Sequence, residues 1–262
     1  MKKIILKVIL GICVLAVATF AALIIRELII DRQSRSFYDN LISDIETRPH
    51  DNEINSTPPG SSGSSTTDPD SSENPVEWQP FVDFSALNEK FPGIIGWILL
   101  DETPVDYPVM QYSDNDYFMT RLPDGTNHRN GSIFLDYRNE PDFSDKSILV
   151  YGHHTRAGDM FGTLSHYRSQ EFYNANPVIY LFTPERDYEL ILFAGHLAHS
   201  VRDHPPLDFE SDDDFLYYIQ QLKNKSVFNS DVEVTAEDRI VSLVTCAYDF
   251  NEARLIVVGI LR

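Results

Sequence analysis

Cysteine is scarce in this chain: Cys13 and Cys246 are the only two in 262 residues. Cys13 lies within an apolar run and Cys246 near the C-terminus, so no disulfide framework exists, and no Cys-x-x-Cys spacing offers a zinc site. Basic charge is also short. Lys and Arg total 21 against 40 Asp and Glu, for a formal net charge of −19. Nucleic-acid binding needs clustered Lys and Arg, so that class is excluded, as is docking on an anionic lipid surface. The acid excess reads as the solvating surface of an extracellular domain. No internal repeat occurs, and no cofactor motif is found.

One long apolar run is present. Val8 to Ile25 is apolar apart from Thr19, and roughly 20 such residues at 1.5 Å each cross a hydrocarbon core. Lys2, Lys3 and Lys7 precede it, which keeps the N-terminus cytoplasmic and places the rest of the chain outside. Ala16-Val17-Ala18 resembles a signal cleavage site. The apolar run continues beyond it to Ile25, longer than a signal core, so a retained single-pass anchor in the cell membrane is expected.

Three regions follow: a cytoplasmic tip and membrane anchor at 1–30, a juxtamembrane helix and flexible linker at 31–76, and an extracellular domain at 77–262. The helix would run from Arg26 to Glu46. From His50 to Asn74 the chain is mostly Ser, Thr, Pro, Gly, Asp and Asn, with too little apolar surface to offset the entropy of ordering. A coil of about 25 residues spans roughly 25–30 Å and would hold the domain clear of the bilayer.

Within the domain, short strands bounded by turn residues dominate. They are expected at Gly96–Leu100, Val105–Met110, Ser132–Leu135, Ser147–Tyr151, Val178–Phe182, Tyr188–Ala198, Ile240–Thr245 and Arg254–Leu261. Ser113 would cap a short helix through Phe118, and a helix would start at Ser211 and run to about Lys223, with Asp212, Asp213 and Asp214 at its positive end. Leu255-Ile256-Val257-Val258 is apolar on both faces, as a central strand would be. Many strands and few helices indicate a barrel or sandwich.

Cys246 ends the strand Ile240–Thr245. A free cysteine is ordinarily a small core residue, but an unpaired thiol outside the cell is prone to oxidation and needs a reason to persist. A cysteine nucleophile requires a base or cation beside it. His153, in Tyr151-Gly152-His153-His154, follows a strand, with a glycine that permits a sharp turn. A surface histidine is the alternative, and eight histidines compete. His153 and His154 as metal ligands are disfavoured, since adjacent residues rarely face one ion. Arg254 opens the strand after Cys246. Antiparallel pairing would bring it to the same sheet end, where a guanidinium can hold a developing oxyanion; a salt bridge to Asp249 or Glu252 is the simpler reading.

These segments together resemble the class B sortases. Ser242-Leu243-Val244-Thr245-Cys246 is similar to the sortase signature Thr-Leu-x-Thr-Cys, and Arg254 stands where that family has its arginine. Val150-Tyr151-Gly152-His153 with Asp159-Met160-Phe161-Gly162-Thr163-Leu164 resembles the class B histidine region. Gly131 to Asn139, Gly96-Trp97-Ile98 and Asp106-Tyr107-Pro108-Val109 also fit, as does a helix between two late strands. The likeness covers Trp78 to Arg262.

It implies a mainly β, eight-stranded barrel with added helices and a cysteine transpeptidase. In such an enzyme Cys246 attacks the carbonyl after Thr in a sorting pentapeptide near a substrate's C-terminus, His153 protonates the leaving amine, and Arg254 steadies the carbonyl. An amine of a peptidoglycan precursor or a pilin lysine then resolves the thioester. Tyr151 and Thr245 are expected in the substrate groove, and no cofactor or metal is implied. Two departures stand out: Val244 where class B members often carry Ser, and Ser242 for the usual Thr. A hydrolytic cysteine peptidase and a non-enzymatic binding module on a membrane stalk are the competing readings.

Overall fold

The computed structural model of the chain describes residues 2–45, 82–155, 158–247 and 249–262. The low-complexity linker expected between 50 and 74 lies outside the described residues.

Eight strands close into a barrel: β1 (Ile94–Leu99), β2 (Asp106–Met110), β3 (Ile133–Leu135), β4 (Ser147–Tyr151), β5 (Val178–Phe182), β6 (Asp187–His199), β7 (Ile240–Cys246) and β8 (Ala253–Leu261). Their order around it is β1-β2-β3-β4-β7-β8-β6-β5. The β2–β3 and β4–β7 pairs are parallel. The eight expected strands therefore exist, with ends displaced by a residue or two, and they form the expected barrel.

β8 lies between β7 and β6. Its alternate residues serve two cores. Leu255 and Val257 join Val241 and Leu243 in the main cluster, while Ile256, Val258 and Ile260 pack with Val244 under helix α4 (Asp212–Lys225). A strand covered on both faces has no polar side to show, which explains its unbroken apolar run. The covering helix spans Asp212–Lys225 and is capped by Ser211, whose side chain accepts from the Asp214 N–H. Asp212, Asp213 and Asp214 occupy its first turn, and Lys223 and Lys225 its last, complementing the helix dipole. It buries Phe215, Ile219 and Leu222, each worth about 2 kcal/mol against exposure.

The helix expected from Ser113 to Phe118 does not form. The Asp114 carboxylate instead accepts from the N–H groups of Asp116 (2.9 Å) and Tyr117 (2.8 Å), tying the segment into turns. Three short elements escape the sequence pattern: α2 (Phe84–Lys90), a 3₁₀ helix (Phe161–Arg168) and α3 (Gln170–Ala175).

Helix α1 runs unbroken from Lys2 to Ile45. It is long and apolar enough to cross a membrane, with mean hydropathy 2.5 in its best window. Its apolar residues from Ile9 through Ile29 are exposed, whereas Tyr38 and Leu41 are buried against the barrel. Tyr38 meets Tyr107 edge-on at 4.9 Å and donates to the Gly131 carbonyl at 3.1 Å. The juxtamembrane part of α1 thus contributes Tyr38 and Leu41 to the domain's own core, while the coil expected to hold the domain clear of the bilayer lies outside the described residues.

Candidate active site

Cys246 is the last residue of β7, half-buried at the barrel rim. Its antiparallel partner on β8 is Arg254. Directly opposed residues in an antiparallel pair sit about 5 Å apart with side chains on one face, so thiol and guanidinium share a side of the sheet. On the other flank β4 runs parallel to β7, with Tyr151 level with Val244. The Gly152 N–H continues the ladder to the Val244 carbonyl at 3.1 Å. Two further steps in this register bring His153 level with Cys246.

The reason for glycine at 152 differs from the sharp turn expected. A Cβ there would lie 2.4 Å from Ile133 Cδ1 and 2.6 Å from Phe161 Cδ2. The residue is small so that the 3₁₀ helix can pack against β3 across it.

Cys246, His153, Arg254 and Tyr151 line one groove of about 110 Å³, with Phe134 and Val244 forming an apolar wall. Thr245 borders it too, but strand alternation turns its side chain to the barrel interior, opposite Cys246. Its hydroxyl is buried without a hydrogen-bond partner among the described residues.

His153 Nε2 lies 2.7 Å from the Met119 carbonyl. A carbonyl only accepts, so Nε2 carries the hydrogen and Nδ1 is the nitrogen left to exchange a proton. The Met119 carbonyl is itself approached closely by Gly131, whose φ is +53° and whose added Cβ would stand 2.5 Å from that oxygen. His154 has other surroundings. It pairs with Met160 in a β-bridge. Burial lowers its pKa and a hydrogen bond to the Cys246 main chain opposes this, with the Arg168 charge lowering it further. Of the two imidazoles, His153 is the one in the groove.

The salt bridges weighed for Arg254 are not made. Asp249 is held by Arg168 through two bonds of 2.8 and 2.6 Å, and Glu252 accepts from Ser200 Oγ at 2.8 Å. Arg254 Nη1 donates to the Ala253 carbonyl at 3.0 Å. The Arg168 pair draws Asp249 below the usual carboxylate range and pins the β7–β8 loop to the 3₁₀ helix.

Tyr151 stacks on Phe134, centroids 5.3 Å apart, and donates to Asp136 Oδ2 at 3.1 Å. Its OH also lies 3.3 Å from His204 Nε2. Burial raises its pKa well above the ordinary phenol value. Asp136 accepts from Arg138 Nε and Nη2, both at 2.8 Å, and from Asn115 at 3.1 Å. Sequence reasoning missed Met119, Phe134, Asp136 and His204. A main-chain carbonyl leaves no signal, and Asp136 looks like any loop acid.

A family model described as the sortase domain matches residues 98–262. Sortase B of Listeria monocytogenes is 34% identical over 179 residues, covering 68% of this chain and 72% of that protein. Sortase B of Staphylococcus aureus is 35% identical over 178 residues, covering 67% and 73%. A solved complex of S. aureus sortase B with substrate superposes with a TM-score of 0.65 at 34% identity, over 68% of this chain and 84% of that one.

Proposed function

The chain belongs to the sortase family and is a sortase B-like cysteine transpeptidase, and on that premise we propose that Cys246 is its nucleophile, His153 its proton carrier and Arg254 its oxyanion partner. The observation that carries this reading is the pairing of Cys246 with Arg254 across β7 and β8, with His153 at the same sheet end around a single groove.

The Cys246 thiolate attacks the carbonyl after Thr in a sorting signal. Negative charge develops on that oxygen, and the Arg254 guanidinium, not engaged by Asp249 or Glu252, is placed to meet it. As the C–N bond breaks, Nδ1–H of the His153 imidazolium passes its proton to the leaving amine, giving a thioester. The Met119 carbonyl holds Nε2–H throughout, so the ring keeps one orientation. An acceptor amine then enters, Nδ1 removes its proton, the new amide forms, and the thiolate leaves. The acceptor proposed is a peptidoglycan precursor amine or a pilin lysine. Tyr151 lines the substrate groove, and Val244 makes its floor apolar. The basic tip at Lys2, Lys3 and Lys7 places the N-terminus inside and the barrel outside, facing the wall.

The test is to incubate the protein with Thr-containing sorting peptides and hydroxylamine, and to look by mass spectrometry for a Cys246 thioester and a hydroxamate product. A free carboxylate in place of the hydroxamate assigns a peptidase. No product with any peptide, and a phenotype unchanged by Cys246→Ala, assigns a binding module.

A further inference from the structure

Tyr151 carries one phenolic hydrogen and meets two acceptors. Its oxygen lies 3.1 Å from Asp136 Oδ2 and 3.3 Å from His204 Nε2. Asp136 is wholly buried, and two bonds from Arg138 with one from Asn115 hold it as the anion. An ionised carboxylate only accepts, so the Tyr151 hydrogen goes there. On the far side, His204 Nδ1 lies 2.9 Å from the Pro205 carbonyl. That oxygen also only accepts, so Nδ1 bears a hydrogen.

Nε2 is then the variable. In the neutral ring it is a bare lone pair aimed at an oxygen whose hydrogen is already committed, and no bond forms. In the imidazolium it carries a hydrogen of its own and donates to the Tyr151 oxygen. The chain from His204 through Tyr151 then ends on the fixed negative charge of Asp136. One protonation state makes the contact and the other does not.

His204 belongs to the loop between β6 and α4, residues 200–211. Among the described residues, the other hydrogen bonds of 201–210 stay within the loop or reach back to His199. The Tyr151 bond is therefore the polar tie of this segment to the groove that Tyr151 lines. The charged and titratable groups on that side are Asp136 and Arg138 behind Tyr151, which pair with each other. Across the groove stand His153, Cys246 and Arg254. The loop itself adds Arg202, Asp203 and Asp208, of which Asp203 accepts from the His199 N–H.

We propose that His204 is a positioning residue for the substrate groove: with both ring nitrogens protonated it donates to Tyr151 and fastens the β6–α4 loop to the groove wall, and with one proton it releases that loop. The inference deepens the transpeptidase reading, on which it rests for the peptide that fills the groove. A wall already fastened leaves less to be ordered when a peptide arrives, so the latched form binds it more tightly. Imidazoles change charge between about pH 5 and 8, so acid strengthens binding through this contact.

The experiment uses the full chain in detergent with Cys246→Ala, which keeps bound peptide intact, and with His204 native or replaced by Gln or Leu. Glutamine offers a donor at every pH and leucine at none, and position 204 is exposed, so both variants keep the fold. The peptide is the Thr-containing sorting peptide that gives most hydroxamate with the unsubstituted chain. Its Kd is measured by calorimetry at about pH 5.5 and about pH 8, on either side of imidazole titration. Ratios to the Gln variant at the same pH cancel whatever His153 contributes. The native residue should match Gln at the lower pH and bind about fivefold more weakly at the higher, and Leu about fivefold more weakly at both. A native-to-Gln ratio that is the same at both pH values overturns the proposal, as does a Leu variant equal to Gln. Nitrogen-15 spectra of labelled histidine, with His204 identified by its loss in the Gln variant, should show Nδ1–H alone at the higher pH; Nε2–H alone overturns the latch directly. Product from the unsubstituted chain with a flat ratio sinks the latch alone. No product and no binding with any peptide sinks the transpeptidase reading and the latch's role with it.

Discussion

Replacing Asp136 by Asn probes the buried carboxylate behind the groove. The side chain is wholly buried. Burial pushes its carboxyl up, but hydrogen bonds from Arg138 and Asn115 outweigh this and hold it at about 2. An unfolded aspartate titrates near 3.9, so the folded state favours the anion by roughly 2.5 kcal/mol. Because the folded value is the lower one, this stabilisation is complete above about pH 4 and is lost as the pH falls from there through about 2. The Asn variant lacks the charge at every pH. For a domain of this size each kcal/mol moves the midpoint by about 2–4 °C, so Asp136→Asn should melt about 5–10 °C below the native chain at pH 7. The gap should shrink steadily below pH 4 and be nearly gone at pH 2. The assay is thermal unfolding of the full chain in detergent, followed by near-UV circular dichroism across that pH range. A gap under about 1 °C at pH 7, or one unchanged down to pH 2, would refute the reasoning.

Three further outcomes are expected. Arg254→Ala should lower kcat by about 10²–10³-fold, and Arg254→Lys should recover only part of it, since an ammonium lacks the planar fork; steady-state kinetics with a sorting peptide decide this. Gly152→Ala should cost about 1–3 kcal/mol by overpacking against Ile133 and Phe161, measured by denaturant unfolding. Arg168→Ala breaks an exposed pair with Asp249, so stability should change by less than about 1 kcal/mol. Turnover should fall more than that, because the loop after Cys246 loses its tie to the 3₁₀ helix; parallel melting and rate measurements separate the two effects.

Much of the site was legible because it uses local signals. Cys246 ends an apolar strand, and Arg254 opens the next strand after a polar loop. Short connections of that kind pair antiparallel, so their juxtaposition follows from neighbouring sequence. His153 was marked by a strand end and a glycine, yet the glycine serves packing rather than a turn, since its contacts Ile133 and Phe161 come from distant segments. Thr245 lines the groove beside Cys246 as expected, although strand alternation turns its side chain to the other face. Ser113 failed as a cap because Asp114, one residue on, captured the Asp116 amide that the cap would use, together with that of Tyr117.

The sequence by itself determined the long apolar N-terminal run, the strand set, the lone thiol of the C-terminal domain and the acidic charge balance. These follow from composition and from periods of two and 3.6, which each stretch carries within itself. Tertiary structure alone decided that β4 lies parallel to β7, so that His153 and Cys246 line one groove, and that α1 docks its Tyr38 and Leu41 on the barrel. Such choices depend on burying every apolar face and pairing every strand edge at once, and that sum runs over the whole chain rather than over any window of it.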